Sequence, residues 1–158
     1  MIGFLKENPE IRHVHIFLSI KKLREVDSSE LLSWLFQNGY QVYTSIMEEG
    51  KEEMSTVRIF PDSKLMEDGW GIPVPKAYQT CNPDKIQLVV IPLLAYDHRG
   101  HRLGYGKGFY DKFLYGLKQK VYKVGVSFFQ PVMHIPHEGH DIPLDVCFLP
   151  DGEIKFQG

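Results

Sequence analysis

The stretch that decides the fold covers residues 88–114 and reads LVVIPLLAYDHRGHRLGYGKGFYDKFL. It opens with a continuous apolar run, and the lack of alternation predicts a central β-strand that is covered on both faces. Glycines then recur at positions 100, 104, 106 and 108 among basic side chains. The segment GFYDKFLYGLKQK (108–120) follows them and predicts a helix. A glycine-rich loop between a strand and a helix directs backbone N–H groups at one spot, which favours a bound phosphate.

Outside this stretch, β-branched and aromatic runs predict further strands, and one amphipathic segment predicts a helix. The strand candidates are HVHIFLSI (13–20), YQVYTSI (40–46), STVRIF (55–60), YKVGVSF (122–128) and a C-terminal hairpin that turns at Asp151-Gly152. The helix candidate is DSSELLSWLFQNG (27–39), which Asp27 or Ser28 caps and Gly39 ends. Residues 62–85 contain proline breakers and predict an irregular connection. The alternation implies one α/β domain over residues 1–158. We expect a Rossmann-like, three-layer fold with a mostly parallel sheet and helices on both faces.

The composition is that of an ordinary globular protein, with 43% hydrophobic residues, 24% charged residues and a net charge of -2. This charge argues against a broad nucleic-acid surface, so the local basic loop fits a small anionic ligand better. No apolar run approaches the roughly 20 residues that span a bilayer, and the start lacks a signal-peptide pattern. Cys81 and Cys147 lie far apart in the sequence and form no metal-binding spacing, so reduced thiols are the simpler interpretation. We expect a cytoplasmic monomer that binds neither nucleic acid nor membrane.

Within the glycine loop, Arg102 offers a bidentate fork and Lys107 a point charge for phosphate. Two familiar phosphate motifs do not fit. A P-loop requires glycine where His101 stands, and Ser or Thr where Gly108 stands. A dinucleotide fingerprint requires its third glycine one residue later than Gly108. The competing interpretation is a tight turn that uses glycine for geometry alone.

The loop resembles a block of the 5-formyltetrahydrofolate cyclo-ligase family, D-x-x-G-x-R-L-G-x-G-x-G-[FY]-Y-D. It matches without a gap from Asp97 to Asp111. Other segments resemble the family in the same order, over roughly residues 13–150. They are IFLSI with REVDSSELL, WGIPVP, LVVIPLLAYD and HIPHEGHDIPLDVCF.

The resemblance implies an ATP- and Mg²⁺-dependent closure of 5-formyltetrahydrofolate to 5,10-methenyltetrahydrofolate, with ADP and phosphate released. It implies that ATP is contacted by Arg102, Leu103, Gly104, Tyr105, Gly106, Lys107, Gly108, Phe109 and Tyr110. It implies that the reduced folate is contacted by Leu18, Glu25, Trp70, Tyr105 and Phe109. It implies that Asp111 and Asp145 bind Mg²⁺, an ion that prefers carboxylate and water oxygens.

Each of these assignments has a structural alternative. Leu18 suits a hydrophobic core equally well, and Trp70 suits a cover over that core. Glu25 suits an exposed helix entry, Asp111 a first helical turn and Asp145 a solvated strand edge. The three-residue spacing of His134, His137 and His140 suggests a metal cluster, but Pro136 and Gly139 break any single helical face. His13 and His15 alternate in a strand and are expected to be structural.

The family begins with a longer helix that carries Lys and Arg residues reaching ATP. The residues before His13 offer no counterpart to that helix, and Lys6 and Arg12 are poor substitutes by position. A second hypothesis is therefore a non-catalytic nucleotide- or folate-binding paralogue, or a truncated form, on the same fold. A third, a nucleotide-dependent oxidoreductase, is disfavoured by the failed dinucleotide fingerprint.

Overall fold

The structure is a computed structural model that describes residues 1–48, 50–69 and 71–156. Trp70, a predicted folate contact, lies outside the described residues. The helices are α1 (Ile2–Glu7), α2 (Ser29–Gln37) and α3 (Phe109–Tyr115). The strands are β1 (His13–His15), β2 (Gln41–Met47), β3 (Met54–Ile59), β4 (Leu65–Glu67), β5 (Pro73–Pro75), β6 (Leu88–Ile91), β7 (Ala95–Tyr96), β8 (Arg102–Leu103), β9 (Tyr122–Val126), β10 (Val146–Leu149) and β11 (Gly152–Lys155).

Seven strands form the main sheet in the order β11-β10-β9-β6-β1-β2-β3. The five inner strands, from β10 to β2, pair in parallel, and the two edge strands pair antiparallel to their neighbours. The strand β6 lies at the centre, and all four of its residues are buried. The expected α/β fold with a mostly parallel sheet is confirmed.

The two faces of the sheet carry separate hydrophobic clusters, because successive strand residues point to opposite sides. Leu88 and Val90 pack with Leu5 of α1 and Leu35 of α2 on one face. Val89 and Ile91 pack with Leu114 of α3 on the other. Helices therefore cover both faces, as the sequence predicts.

The helix α2 agrees closely with its prediction. The Asp27 side chain accepts a hydrogen bond from the backbone N–H of Ser29 at 2.9 Å, so Asp27 rather than Ser28 satisfies this end of the helix. The Ser28 hydroxyl instead donates to the Phe17 carbonyl. Gly39, at φ +75°, follows the helix as expected.

Several predicted bounds are wrong. The strand expected over residues 13–20 ends at His15, and α3 ends at Tyr115 rather than near residue 120. Gly116 follows α3, and Leu117 beyond it packs against the core. The C-terminal hairpin pairs Leu149 with Gly152, which places its turn at Pro150-Asp151.

Three elements were not anticipated. The first residues form α1, whose Leu5 is fully buried. The connection over residues 62–85 contains the hairpin β4-β5, and the hairpin β7-β8 interrupts the path from β6 to the glycine loop. None of the helices in the described part of the chain is long and apolar enough to cross a membrane.

Candidate functional site

A cleft of about 480 Å³ opens along the glycine loop, and we call it the glycine cleft. One wall is the continuous stretch from Arg102 to Asp111, which includes every residue predicted to contact ATP. The opposite wall is part of the segment 134–142, which has neither helix nor strand. The glycine loop between β8 and α3 and the chain before β10 thus line a single concave surface.

Two of the three glycines in the loop have a backbone reason to be glycine, and the third does not. Gly106 and Gly108 adopt φ +83° and +62°, in the left-handed region that strains other residues. Gly104 has no such φ, and a Cβ built on it meets no heavy atom within 4 Å. The protein itself therefore gives no reason for glycine at 104. A Cβ there would stand in open space, and its absence from this lining residue suits a cradle for a closely approaching ligand.

Arg102 and Asp111 bind each other. The Arg102 Nη2 lies 2.7 Å from Asp111 Oδ1, and the side chains are only 6% and 20% exposed. Arg102 Nη1 donates to the Ile142 carbonyl oxygen. The Ile142 backbone N–H donates to the same Asp111 Oδ1, at 3.0 Å. Arg102, Asp111 and the Ile142 backbone thus form a closed ring of hydrogen bonds, which we call the Arg102 ring.

Glu25 and Tyr105, two predicted folate contacts 80 residues apart, meet each other, and Tyr105 lines the cleft. The Tyr105 hydroxyl donates to Glu25 Oε1 at 2.9 Å, and the Ile20 backbone N–H donates to Glu25 Oε2 at 2.6 Å. Burial, with the Glu25 hydrogen bond and charge added to it, raises the pKa of Tyr105. Arg24 adopts a left-handed φ of 52° immediately before Glu25. A non-glycine residue in this region is uncommon and often marks a functional turn.

The remaining loop side chains give the cleft its charge and aromatic surface. The Lys107 ammonium lies 5.8 Å from the centre of the Phe109 ring, within the range of a cation–π contact. Tyr110 faces the cleft and also meets the His15 ring edge-on. Burial raises the pKa of Tyr110, so its hydroxyl stays protonated at neutral pH.

A buried carboxylate supports the opposite wall. Asp97 is 1% exposed and accepts backbone N–H bonds from Arg99, His101 and Ile135. Burial alone would raise the pKa of Asp97, but the hydrogen bonds, with Ile135 and Arg99 foremost, hold it below its usual value. The His101 ring, 3.2 Å from Asp97, stacks on the ring of the cleft residue His137 with centroids 3.6 Å apart.

Two further predicted residues lie away from this cleft. Asp145 bonds both the backbone N–H and the ammonium of Lys123, each at 2.7 Å, and Asp145 does not line the cleft that Asp111 lines. Leu18 is 9% exposed and belongs to the core cluster beneath α1 and α2. Among the described residues, no group of three His, Cys, Asp or Glu side chains is placed to hold a metal ion.

Residue-by-residue reasoning missed the buried side of the site. His15 is fully buried against Phe113 and Tyr110, its Nε2 lies 2.7 Å from Ser45 Oγ, and burial lowers its pKa to about 3. The sequence pattern identifies Asp97 only as the first residue of the family block. Its sequence signal was available, because Asp followed by a turn that ends in Gly100 is typical of a side chain that caps its own loop.

A second cavity, of about 590 Å³, lies on the other face of the sheet at the carboxyl ends of the parallel strands, and we call it the α2 cavity. Its lining includes Phe17, Val126 and Phe148, together with the carboxylates of Asp27 and Glu30. No Lys or Arg of the described chain lines it, so the glycine cleft is the better site for an anion.

Comparisons with known proteins identify the family. The sequence profile of the 5-formyltetrahydrofolate cyclo-ligase family matches residues 4–150, so the chain belongs to this family of enzymes. The 5-formyltetrahydrofolate cyclo-ligase of Haemophilus influenzae is 29% identical over 145 residues, which are 89% of this chain and 76% of that protein. The enzyme of the same name from Escherichia coli K12 is 30% identical over 142 residues, which are 87% of this chain and 77% of that protein.

A solved structure shares the fold. The NMR structure of Aquifex aeolicus 5,10-methenyltetrahydrofolate synthetase superposes with a TM-score of 0.78 at 29% identity, covering 99% of this chain and 79% of that one. The 5,10-methenyltetrahydrofolate synthetase of Mycoplasma pneumoniae superposes with a TM-score of 0.69 at 22% identity, which bears on the fold alone.

Proposed function

We propose that this protein converts 5-formyltetrahydrofolate to 5,10-methenyltetrahydrofolate with Mg²⁺ and ATP, and that the glycine cleft holds both substrates. One observation carries the proposal. The loop from Arg102 to Asp111 lines one side of one cleft, and Gly104 lies there with open space where a side chain would stand. Family membership supplies the reaction class, and the cleft supplies open space beside the glycine loop with a lysine in its lining.

The reaction has two steps, a phosphoryl transfer and a ring closure. The formyl oxygen of the folate attacks the γ-phosphorus of ATP, and the bond from that phosphorus to ADP breaks. N10 of the folate then attacks the activated formyl carbon and releases its proton to solvent, and the C–O bond breaks as phosphate leaves with the former formyl oxygen. Phosphoryl transfer of this kind depends on positioning and on neutralised charge rather than on a covalent protein intermediate.

The roles of the loop residues follow from their position. Backbone N–H groups of residues 104–108 and the Lys107 ammonium neutralise the phosphate oxygens. The helix α3 adds little to this, because it has only seven residues. Phe109 and Tyr105 offer ring faces to the flat pterin, and Glu25, bonded to Tyr105, offers a carboxylate to its N–H groups.

The side chains of the cleft also suit a magnesium ion. Mg²⁺ is usually held by one or two carboxylates together with phosphate oxygens and water. Asp111 is a cleft carboxylate with 20% of its side chain exposed, so Asp111 is the residue that we assign to the ion. When bound, the ion neutralises charge that develops on the phosphates. Asp145 remains the sequence-based second ligand, although Asp145 is paired with Lys123.

The direct test is the absorbance of the methenyl product when the protein is mixed with 5-formyltetrahydrofolate and Mg-ATP. We expect product to accumulate with one ADP released per turnover. No product should form when ATP or Mg²⁺ is omitted. The matched control is Lys118→Ala, which removes an exposed lysine outside the cleft. We expect Lys107→Ala to lower kcat/KM for ATP about 10- to 100-fold, the loss expected for one charged contact, and Lys118→Ala to leave it unchanged.

The same assay separates the competing hypotheses. ATP and folate that bind without forming product would show a binding module on this fold. A protein that binds NADH but not ATP would support the oxidoreductase hypothesis instead. Equal activity of Lys107→Ala and Lys118→Ala would show that Lys107 does not contact the phosphates.

A further inference from the structure

The wall of the glycine cleft formed by the segment 134–142 presents a histidine that is held from two sides. His137 lines the cleft, and its ring stacks on that of His101 with centroids 3.6 Å apart and planes inclined by 8°. The Nδ1 of His137 lies 3.2 Å from the Ile135 carbonyl oxygen. A carbonyl oxygen only accepts, so Nδ1 carries the proton of this hydrogen bond. The plane and the tautomer of the ring are therefore both set, although the segment has no helix or strand.

This tautomer determines what the other ring nitrogen of His137 offers to a ligand. Nε2 has no hydrogen-bond partner among the residues that the structure describes. In the neutral ring Nε2 is an acceptor, because Nδ1 holds the single N–H. A proton added at Nε2 makes it a charged donor, and histidine is the side chain type that changes charge in this way near neutral pH. His137 therefore meets an anion with a hydrogen bond only after it has taken up a proton.

The groups that contact the stacked rings favour a positive charge on them. Asp97 Oδ2 lies 3.2 Å from His101 Nδ1. Burial raises the pKa of Asp97, but its hydrogen bonds outweigh burial and hold that pKa below the usual value, so the carboxylate stays negative. The His134 ring meets His137 edge-on, with centroids 5.9 Å apart. A buried negative charge thus lies one ring away from His137.

The charges of the cleft lining also leave a place for a further cation. Apart from its histidines, the described lining carries two positive and three negative side chains, namely Arg102, Lys107, Asp111, Glu138 and Asp141. Arg102 pairs with Asp111, and His140 lies 3.5 Å from Glu138 and 3.8 Å from Asp141. A chain of phosphates in this cleft therefore meets a surplus of carboxylates unless a histidine is charged.

We propose that His137 is a further anion contact of the glycine cleft, on the wall opposite the glycine loop, and that it takes up a proton when Mg-ATP binds. The identity of the anion rests on the proposed function. The proton moves from solvent to Nε2, and no bond of the nucleotide forms or breaks in this step. Because the bound state holds this extra proton, the affinity for ATP rises as the pH falls through the neutral range.

Isothermal titration calorimetry with Mg-ATP, in two buffers of different ionisation enthalpy, counts the protons taken up on binding. We expect the wild type at pH 7 to take up more protons per nucleotide than His137→Gln does. We expect His137→Gln to raise the Kd of ATP about tenfold at pH 6 and about twofold or less at pH 8, since a charged hydrogen bond is lost only where the imidazolium forms. The titration of the nucleotide itself is the same for both proteins and cancels in the comparison.

Two further variants separate the nitrogen from the packing of the ring. His137→Phe keeps a ring to stack on His101 but has no nitrogen, and we expect it to bind ATP as weakly as His137→Gln. His98→Gln is the matched control, because His98 is exposed and does not line the cleft. His98→Gln should keep the wild-type affinity and its dependence on pH. Wild-type affinity in His137→Phe, or equal proton uptake by wild type and His137→Gln, would overturn the proposal.

Failure of this proposal is distinguishable from failure of the proposed function. A wild type that forms the methenyl product, with proton uptake equal to that of His137→Gln, would overturn the role of His137 and leave the function standing. A wild type that binds no Mg-ATP would contradict the function, and inorganic tripolyphosphate then replaces the nucleotide in the same titration. Tighter binding of tripolyphosphate by wild type than by His137→Gln at pH 6 would support the anion contact, and equal or absent binding would overturn it.

Discussion

At the scale of single residues, burial decides which titratable groups keep their charge. His15 lies among Phe113, Tyr110 and Ser45, and the energy required to place an imidazolium there lowers its pKa to about 3. Its Nδ1 has no hydrogen-bond partner among the residues that the structure describes. Asp97 behaves oppositely, because backbone N–H groups more than offset its burial and hold its pKa below the usual value.

The protonation of His15 predicts how stability depends on pH. Between about pH 6.5 and pH 3 the unfolded chain binds a proton at this residue and the folded protein does not, so stability falls as the pH is lowered. From pH 7 to pH 5 the loss due to His15 is about 2 kcal/mol. His15→Phe removes the titrating group and should remove that part of the pH dependence. Urea unfolding of both proteins at pH 5, 6 and 7 measures the difference. If the free energies of unfolding of the two proteins change equally with pH, His15 takes up its proton in the folded protein as readily as in the unfolded chain, which would contradict the prediction.

Asp97 predicts a second effect on stability. Its carboxylate accepts from three backbone N–H groups and contacts His101, so Asp97→Ala leaves several buried donors unsatisfied. We expect a loss of about 2–3 kcal/mol in the free energy of unfolding at pH 7. In the wild type, Asp97 stabilises the fold above its unfolded pKa of about 4, and this contribution is lost as the pH falls through the lower folded value. Thermal unfolding at pH 7 and pH 3 checks both statements, and an Asp97→Ala protein as stable as wild type at pH 7 would contradict them.

At the scale of elements, the glycine loop combines two constraints that substitution separates. Gly104→Ala adds a methyl group to open space without a backbone penalty, so we expect its stability to change by less than about 0.5 kcal/mol. If ATP approaches the backbone of this lining residue as proposed, the methyl group should weaken ATP binding about tenfold or more. Gly106→Ala instead forces a side chain onto φ +83°, at a cost of about 1–2 kcal/mol.

Thermal unfolding and ATP titration of these two variants distinguish the constraints. A destabilised Gly104→Ala protein with normal ATP affinity would mean that Gly104 serves the turn alone. That result would favour the tight-turn interpretation of the loop.

Elements with strong local patterns could be predicted from the sequence, and those that depend on tertiary contacts could not. The helix α2 has a capping residue before it and a glycine after it. The strand β6 has four consecutive apolar residues, because both of its faces are covered by other parts of the protein. The hairpin β7-β8 has strands of only two residues, too short for a periodic signal. The Arg102 ring joins positions 102, 111 and 142, so the partners of Arg102 exist only after the chain before β10 has folded back.

At the scale of the whole molecule, the hairpin β7-β8, α3 and the segment 134–142 lie along one side of the central sheet and enclose the glycine cleft between them. Pattern and family block together identified the loop wall of this cleft. The other wall, with His137 and the Asp97 tie, escaped prediction because it is irregular and is defined by long-range bonds. The pairing of Glu25 with Tyr105 shows that two separately predicted contacts do meet.

Ligand binding at this cleft should stabilise the whole fold. A ligand present at about 100 times its Kd adds about 2.7 kcal/mol to the free energy of unfolding. For a chain of this size, Mg-ATP should therefore raise the melting temperature by about 5–10 °C. Lys107→Ala should lose most of that rise at the same nucleotide concentration, while Lys118→Ala keeps it. A full rise in Lys107→Ala would place the nucleotide elsewhere.

The location of the nucleotide is the central claim, and backbone amide NMR spectra during a Mg-ATP titration test it most directly. If the glycine cleft holds the phosphates, the largest amide shifts fall on residues 104–110, with smaller shifts in the segment 134–142. Residues around the α2 cavity, such as Val126 and Phe148, should change little. Largest shifts around the α2 cavity, with the glycine loop unmoved, would contradict the account.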